Sequence, residues 1–295
     1  MEIKKVGVVG CGLMGSGITQ VCAQSGYSVI TSEINETLLN KGLSAIRFAL
    51  DIDVRRRRIT PPDMDAVMGR IKGTTSFADF PACDLIIEAA PENMNIKKSI
   101  FRELDKICPG NTILATNTSC LSIIAMAKET SRPDKVLGLH FFNPPALMKL
   151  LEVVKTAATS NETLETGKAF GKSLGKTAIT APDTPGFVVN RLLLPFMMEA
   201  FRMLEAGLAT RDDIDDGARL GLGHSLGPLQ LADLVGLDTV LYIGSAIYAE
   251  LKDPLYSPPE ILKKMVTEGK LGRKTGKGFY DYTRDSSGKP TQENT

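Results

Sequence analysis

The chain has 295 residues, of which 43% are hydrophobic and 23% are charged, and its formal net charge is +1. This balance is typical of a globular protein with a substantial core, and the small net charge argues against a general binder of nucleic acids. No apolar run is long enough to span a membrane, and the N-terminal residues pass directly into a predicted strand, so we expect neither a membrane span nor a signal peptide.

The length favours about two domains. Five cysteines lie at positions 11, 22, 83, 108 and 120 and form no CxxC pair. An odd number of scattered cysteines is typical of a protein kept reduced inside the cell, and we therefore expect a cytoplasmic location. With only two histidines in the sequence, no ligand spacing indicates a metal site.

The first predicted elements form a nucleotide-binding pattern. A buried strand at residues 3–9 leads at once into the turn Gly10-Cys11-Gly12-Leu13-Met14-Gly15. A predicted helix at 13–25 and a second strand at 28–32 follow, and the strand ends at Glu33. This order is the context that a dinucleotide fingerprint requires, with the pyrophosphate on the helix N-terminus and the acid on the adenine ribose. Glu33 would repel the ribose phosphate of NADP, so the pattern favours NAD.

A long helix predicted at residues 36–58 ends in the run Arg55-Arg56-Arg57-Arg58. The run has two interpretations. The cations suit the negative end of a helix dipole at a solvated helix terminus, or they form an anion site for a phosphorylated substrate. Taken alone, the residues favour the first interpretation. Thr60-Pro61-Pro62-Asp63 then opens a short helix with Asp63 as the candidate N-cap.

Further strands are predicted at residues 71–75, 84–88 and 112–115, with a helix at 95–107. The third of these strands leads into small polar residues that include Asn117 and Ser119. Ligands bind at the carboxyl ends of parallel strands, so these residues are candidates for a site. The competing interpretation is N-capping of a helix near 121–127, and Ser119 suits both roles.

The strongest catalytic signal lies between His140 and Glu152. An apolar run at residues 136–139 places His140 at the end of a predicted strand, and a second apolar strand at 148–154 has Glu152 as its only carboxylate. A lone carboxylate in such a strand needs a partner, and His140 is the nearest candidate. A carboxylate on one imidazole nitrogen leaves the other free to act as a general base. The alternative is a core histidine bonded to the backbone, with Glu152 at the surface.

A helix near residues 161–174 and a strand near 176–180 complete an alternation that predicts a doubly wound, mostly parallel α/β sheet. Two prolines and a glycine at residues 181–186 mark a boundary. We expect an NAD-binding domain at residues 1–184 and an all-helical substrate and dimerisation domain at 185–295. Apolar helices predicted at 187–206 and 228–251 suggest a homodimer. The polar tail from Arg284 is expected to be disordered.

Taken together, the motifs resemble those of the 3-hydroxyacyl-CoA dehydrogenase family, in particular its short bacterial 3-hydroxybutyryl-CoA type, from Val6 to about Tyr282. The matching motifs are the glycine turn, Pro91-Glu92-Asn93 with Lys97, Asn117-Thr118-Ser119, His140-Phe141-Phe142-Asn143-Pro144, Glu152-Val153-Val154, Gly186-Phe187-Val188-Val189-Asn190-Arg191, Gly227-Pro228 with Asp233, and Gly276-Lys277-Gly278-Phe279-Tyr280.

The resemblance implies a Rossmann-like domain and an NAD-dependent oxidation of a short (S)-3-hydroxyacyl-CoA ester to the 3-oxoacyl-CoA, or the reverse reduction. Fatty-acid oxidation and butyrate formation both use this reaction. His140 would be the general base, supported by Glu152, while Ser119 and Asn190 would bind the reacting oxygens of the substrate. Arg56 would meet the nucleotide part of coenzyme A. The residues implied to contact the cofactor are Gly10, Gly12, Leu13, Met14, Gly15, Glu33, Glu92, Lys97, Asn117 and Asn143.

The sequence departs from the family pattern at several positions, among them Glu33 in place of the commoner aspartate and the adjacent prolines Pro144-Pro145. Two other functions stay open. One is a dehydrogenase of a free hydroxy acid, of the gulonate or carnitine type, on the same fold. The other is a non-catalytic NAD-binding protein of the crystallin kind. The arginine run favours the thioester, and the pair of His140 and Glu152 favours an enzyme.

Overall fold

A computed structural model describes residues 2–283, so the tail from Arg284 lies outside the described residues. The chain folds as two compact units, Met1–Phe187 and Val188–Thr295. Among the described residues, no single helix is long and apolar enough to cross a membrane. The helices Pro228–Val235 and Leu237–Leu251, which meet at a bend of 98°, reach that length and hydrophobicity only when they are taken together.

Eight strands of the first unit form one sheet. They are β1 (Lys5–Val9), β2 (Ser28–Ser32), β3 (Ile71–Thr74), β4 (Leu85–Glu88), β5 (Ile113–Thr116), β6 (Val136–Phe141), β7 (Leu150–Lys155) and β8 (Thr177–Pro182). Their order is β3-β2-β1-β4-β5-β6-β7-β8, and every neighbouring pair is parallel except β6 and β7. The predicted doubly wound, mostly parallel sheet is confirmed. The strand order reverses between β1 and β4, which is where open sheets of this kind bind ligands.

Six α-helices accompany the sheet. They are α1 (Leu13–Gln24), α2 (Glu36–Arg55), α3 (Pro61–Gly69), α4 (Met94–Ile107), α5 (Ile123–Ala127) and α6 (Asn161–Ser173). Strands β4, β5 and β6 are buried along their whole length. Helices on both faces of a parallel sheet exclude water from it, which explains why these strands appear in the sequence as continuous apolar runs.

Two helix N-termini differ from the sequence prediction. Thr60, and not Asp63, is the N-cap of α3, because its hydroxyl accepts from the Asp63 N–H while the Asp63 carboxylate accepts from the Thr60 N–H. At the start of α5, the carboxylate of Asp183 accepts from the N–H groups of Ile123 and Ile124. Ser119 therefore does not cap α5, and its hydroxyl lies instead 3.4 Å from a carboxylate oxygen of Glu92.

The second unit is helical, as predicted. Its helices are α7 (Val189–Glu205), α8 (Arg211–Asp216), α9 (Pro228–Val235), α10 (Leu237–Leu251) and α11 (Glu260–Thr267), with a π-helical turn at Gly217–Gly221. The segment predicted as one apolar stretch at 228–251 is two helices, because Gly236 between them has a φ of 100°. Phe201, Leu229 and Leu237 lie at the centre of this unit's core.

A buried carboxylate closes the last turns of this unit. Asp233 is 1% exposed and accepts from the N–H groups of Phe279 and Tyr280 and from the hydroxyl of Tyr282. Burial raises the pKa of Asp233 despite these donors. A Cβ on Gly278 would lie 1.9 Å from the Asp233 Oδ1, so this position requires glycine. Asp233 and the glycine-rich segment after residue 275, which are separate motifs in the sequence, are therefore in contact in the fold.

Candidate active site

The glycine turn after β1 has the shape of a phosphate cradle. Gly10 has a φ of 95°, and a Cβ on Gly15 would lie 1.9 Å from the Gly10 carbonyl oxygen. A Cβ on Gly12, in contrast, would meet no atom within 4 Å. Helix α1 begins at Leu13, with Met14 next, and no side chain caps its first turn. Open space beside an uncapped helix N-terminus fits a dinucleotide pyrophosphate.

Glu33 is fixed facing this turn. One carboxylate oxygen accepts from the Cys11 N–H at 2.9 Å, and the other accepts from the Ile34 N–H at 3.0 Å. Each oxygen keeps a further lone pair for a ribose hydroxyl. The longer arm of glutamate thus reaches back to the glycine turn, and its charge fits a cofactor without a ribose phosphate.

His140 and Glu152 face each other across the antiparallel pair of β6 and β7. The His140 Nδ1 lies 2.6 Å from the Glu152 Oε2, and the two residues are 5% and 0% exposed. The alternative that placed Glu152 at the surface is wrong. A carboxylate only accepts, so Nδ1 carries the proton, and Nε2 makes no hydrogen bond to the part of the chain described here. The rings of Phe142 and Phe187, with centroids 4.7 and 5.5 Å from that of the imidazole, limit its motion.

Asn117 is brought to the same place by β5. Its side-chain oxygen accepts from the N–H of Phe141 at 2.9 Å, one residue after His140. This bond joins the end of β5 to the end of β6 and leaves the amide NH₂ group of Asn117 available. The strand that carries His140 is therefore held on one side by Asn117 and on the other by β7.

A second group of candidates meets around Lys97. The Lys97 Nζ lies 3.2 Å from a carboxylate oxygen of Glu92, and the other oxygen of Glu92 accepts from the Thr118 hydroxyl at 2.6 Å and from the Ser119 N–H at 3.0 Å. Burial opposes ionisation of Glu92, but Lys97 and these donors outweigh it and hold the pKa of Glu92 below its ordinary value. Ser119 is thereby attached to an ionised carboxylate at the end of β5.

Glu88, at the end of β4, was not predicted from the sequence. It is fully buried and accepts from the Lys97 Nζ at 2.7 Å, the Ala90 N–H at 2.7 Å and the Thr116 hydroxyl at 2.6 Å. The signal was present, because Glu88 is a lone carboxylate that ends the apolar run Leu-Ile-Ile, just as Glu152 stands alone in its own strand.

The arginine run lies at the end of α2, which stops at Arg55 and not at 58 as predicted. Arg55 pairs with Asp51 at 2.6 Å, and Arg58 pairs with Asp53 at 3.2 Å. The side chains of Arg56 and Arg57 are exposed and make no ion pair or hydrogen bond within residues 2–283. Two of the four cations are thus paired with carboxylates of α2, and two remain available to an anion.

The last two candidates are Asn143 and Asn190. Asn143 is exposed in the loop after β6, where its peptide bond to Pro144 is cis. Asn190 lies in the first turn of α7, in the second unit. No cluster of three or more His, Cys, Asp or Glu side chains suited to a metal ion occurs in the described chain.

Comparison with known proteins gives a consistent result. Residues 5–184 match the model of the 3-hydroxyacyl-CoA dehydrogenase NAD-binding domain, and residues 186–282 match that of the 3-hydroxyacyl-CoA dehydrogenase C-terminal domain. A probable 3-hydroxybutyryl-CoA dehydrogenase of Bacillus subtilis is 42% identical, over 97% of this chain and all of the relative. The 3-hydroxybutyryl-CoA dehydrogenase of Clostridioides difficile is 43% identical, over 95% of this chain and all of the relative. The crystal structure of (S)-3-hydroxybutyryl-CoA dehydrogenase from Ralstonia eutropha is 44% identical, with a TM-score of 0.92 over 96% of this chain and all of that one.

Proposed function

The chain belongs to the 3-hydroxyacyl-CoA dehydrogenase family, and we propose that it interconverts (S)-3-hydroxybutyryl-CoA and the 3-oxoacyl-CoA with His140 as the general base. It is an NAD-dependent dehydrogenase of 3-hydroxyacyl-CoA esters. The observation that supports the role of His140 is its buried contact with Glu152, which orients the imidazole and leaves Nε2 without a hydrogen-bond partner among residues 2–283.

In the oxidation, the 3-hydroxyl proton passes to the His140 Nε2 as a hydride leaves carbon 3. Bound NAD supplies the oxidised nicotinamide that accepts this hydride. The imidazolium that forms is stabilised by the carboxylate of Glu152. Ser119 and Asn190 hydrogen-bond the reacting oxygens of the substrate. In the reduction, His140 returns the proton to the oxygen on carbon 3.

The glycine turn and Glu33 bind the pyrophosphate and the adenine ribose of NAD in this proposal. The nicotinamide half of NAD is held in place by a second group of residues, namely Glu92, Lys97, Asn117 and Asn143. Lys97 is 1% exposed, and its three N–H donors already meet Glu88, Glu92 and the Ala90 carbonyl. It therefore acts on the cofactor through Glu92, by holding this carboxylate in place, and not through a direct bond.

The substrate is tested by following NADH formation with (S)-3-hydroxybutyryl-CoA, free 3-hydroxybutyrate and a long-chain (S)-3-hydroxyacyl-CoA. We expect the short ester to have the highest kcat/KM. Preference for the long ester would contradict the proposed substrate but keep the reaction, whereas turnover of the free acid alone would contradict a role for coenzyme A. Bound NAD with no turnover of any of the three would overturn the function.

Arg56→Ala is expected to raise the KM for the CoA ester about tenfold, the loss of one charge-assisted contact, and to leave the KM for NAD unchanged. The reason is that Arg56 has no partner within the described chain and is free to pair with a phosphate of coenzyme A. The matched control is Arg55→Ala, since Arg55 is already paired with Asp51. Equal effects of the two substitutions, or an equal rise of both KM values, would assign the run to helix stability.

We also propose a homodimer built on the second unit. Large apolar side chains of this unit are exposed, including Leu192, Leu208 and Leu220 at 72%, 73% and 78%. Exposed apolar side chains form an interface where they lie together, so these leucines are candidates for the contact between subunits. Sedimentation velocity at micromolar concentration should give a dimer, and a monomer alone would contradict the proposal.

The domain boundary that we propose lies between residues 184 and 185. The division of contacts at Phe187 and Val188, and the family models that end at 184 and begin at 186, support it. We place the protein in the cytoplasm, a reducing compartment, and the buried thiols of Cys11, Cys22, Cys83 and Cys108, which form no disulfide, support this location.

A further inference from the structure

Lys176, immediately before β8, is a buried cation outside the catalytic pair. It is 7% exposed, and its Nζ donates to the carbonyl oxygens of Pro145 at 2.6 Å and Met148 at 2.7 Å. No carboxylate within the described residues pairs with it. The ring of Phe141, whose centroid lies 5.6 Å from the Nζ, is its other partner. Burying a charge without a counter-ion costs free energy of folding, and the two hydrogen bonds to carbonyl groups offset this cost only in part.

The electrostatics around the amine agree with this cost. Burial is the main cause that lowers the pKa of Lys176, and Lys149 acts in the same direction, whereas a thiolate at Cys22 of α1 would oppose it. Burial also raises the pKa of Cys22 to about 12, so this thiol stays neutral at physiological pH and supplies no negative charge. The two loop carbonyls are therefore the main groups that stabilise the ammonium.

The loop that Lys176 holds connects the two strands of the catalytic pair. It follows β6, which carries His140, precedes β7, which carries Glu152, and contains Asn143. The loop also packs on α1, because a Cβ added to Gly17 would lie 2.7 Å from the Pro145 Cδ. Pro145 thus contacts both the Lys176 ammonium and α1, the helix whose N-terminus would bind the NAD pyrophosphate in the proposed function.

We propose that Lys176 is a positioning residue for hydride transfer, which fixes residues 143–148 against α1 so that Asn143 and His140 keep their places at the nicotinamide half of NAD. This inference rests on the proposed function. A shift of about 1 Å in such groups is enough to lower the rate up to about a hundredfold, even when the cause lies away from the reacting atoms.

The test is Lys176→Met, which keeps an unbranched side chain and removes the ammonium. We expect kcat to fall about tenfold and NADH to bind more weakly, while ADP-ribose, which lacks the nicotinamide, binds with unchanged affinity. The control is Lys172→Met, the same substitution on an exposed side chain of α6, which should change none of these values. Binding is measured by fluorescence titration of NADH and by its displacement with ADP-ribose.

Equal weakening of NADH and ADP-ribose would show general damage to the nucleotide domain and overturn the proposal, as would an unchanged kcat. If the methionine variant does not fold, Lys176→Gln is the milder substitution. We expect it to lower kcat and weaken NADH binding by a smaller factor and to leave ADP-ribose binding unchanged, and the same two results would contradict the proposal. The two binding measurements require no CoA ester, so they can fail separately from the proposed substrate, which wild-type turnover tests.

Discussion

Replacing His140 by glutamine is expected to lower kcat by about two to four orders of magnitude, because a positioned general base contributes a factor of this size. Glutamine keeps a polar side chain of similar reach but cannot take the proton that leaves the 3-hydroxyl. The dinucleotide turn and Glu33 are not touched by the change, so the Kd for NADH should stay within about threefold of the wild-type value, a free-energy difference below 1 kcal/mol. Steady-state turnover of the short CoA ester and NADH fluorescence measure the two quantities.

The matched control is His224→Gln, at the other histidine of the chain. His224 is exposed in the second unit, where its ring packs edge-on against Phe196 at 5.2 Å. Wild-type turnover is expected for this variant. Turnover of the His140 variant at the level of the control would contradict the role of His140 as the base and would require another group to accept the proton.

Glu152→Gln is expected to lower kcat about a hundredfold or more, since neutralising the carboxylate behind a catalytic imidazole costs orders of magnitude in rate. The substitution keeps the size of the side chain in a position with 0% exposure. It removes the charge that stabilises the imidazolium, and it allows the amide NH₂ to face Nδ1, which would favour the wrong tautomer.

The control is Glu162→Gln, the same substitution at an exposed residue in the first turn of α6. It should leave kcat unchanged. A melting curve separates the effects, because a loss of kcat that appears only with a loss of folded protein would make Glu152 a structural residue. A Glu152 variant that is folded and fully active would contradict the support assigned to this carboxylate.

The contact between His140 and Glu152 was predictable because each residue stands alone among apolar residues. His140 ends one apolar strand and Glu152 interrupts the next, and the strands are close in sequence, so antiparallel pairing brings the two side chains together. Lys176 could not be found in the same way. Its partners are main-chain carbonyls 31 and 28 residues away, and a carbonyl has no signature in a sequence.

Most of the fold followed from the alternation of apolar strands and helices, and all eight strands lie within a few residues of their predicted positions. The failures were local. Asp183 caps α5 from about 60 residues away, and such a distant donor–acceptor pair leaves no local pattern. Gly236 did leave a pattern, because a glycine inside an apolar helical stretch signals a break, and the stretch was nevertheless predicted as continuous.

The buried carboxylate of Asp233 affects the order in which the two units can fold while the chain is being synthesised. Its N–H donors at Phe279 and Tyr280 are added to the growing chain 46 and 47 residues after it, and the hydroxyl of Tyr280 also serves the buried carboxylate of Asp215. Asp215 also accepts from the N–H groups of Leu229 and Gln230, but the donors of Asp233 all come from residues 279–282. Until these residues leave the ribosome, the Asp233 carboxylate must stay hydrated, since burying it without donors costs several kcal/mol. The α9 helix, which carries Asp233, therefore reaches its final packing only after residues 279–282 have been made. The sheet unit, whose residues are made earlier, can fold first, and the nascent helical unit would be the segment that depends longest on protection from aggregation.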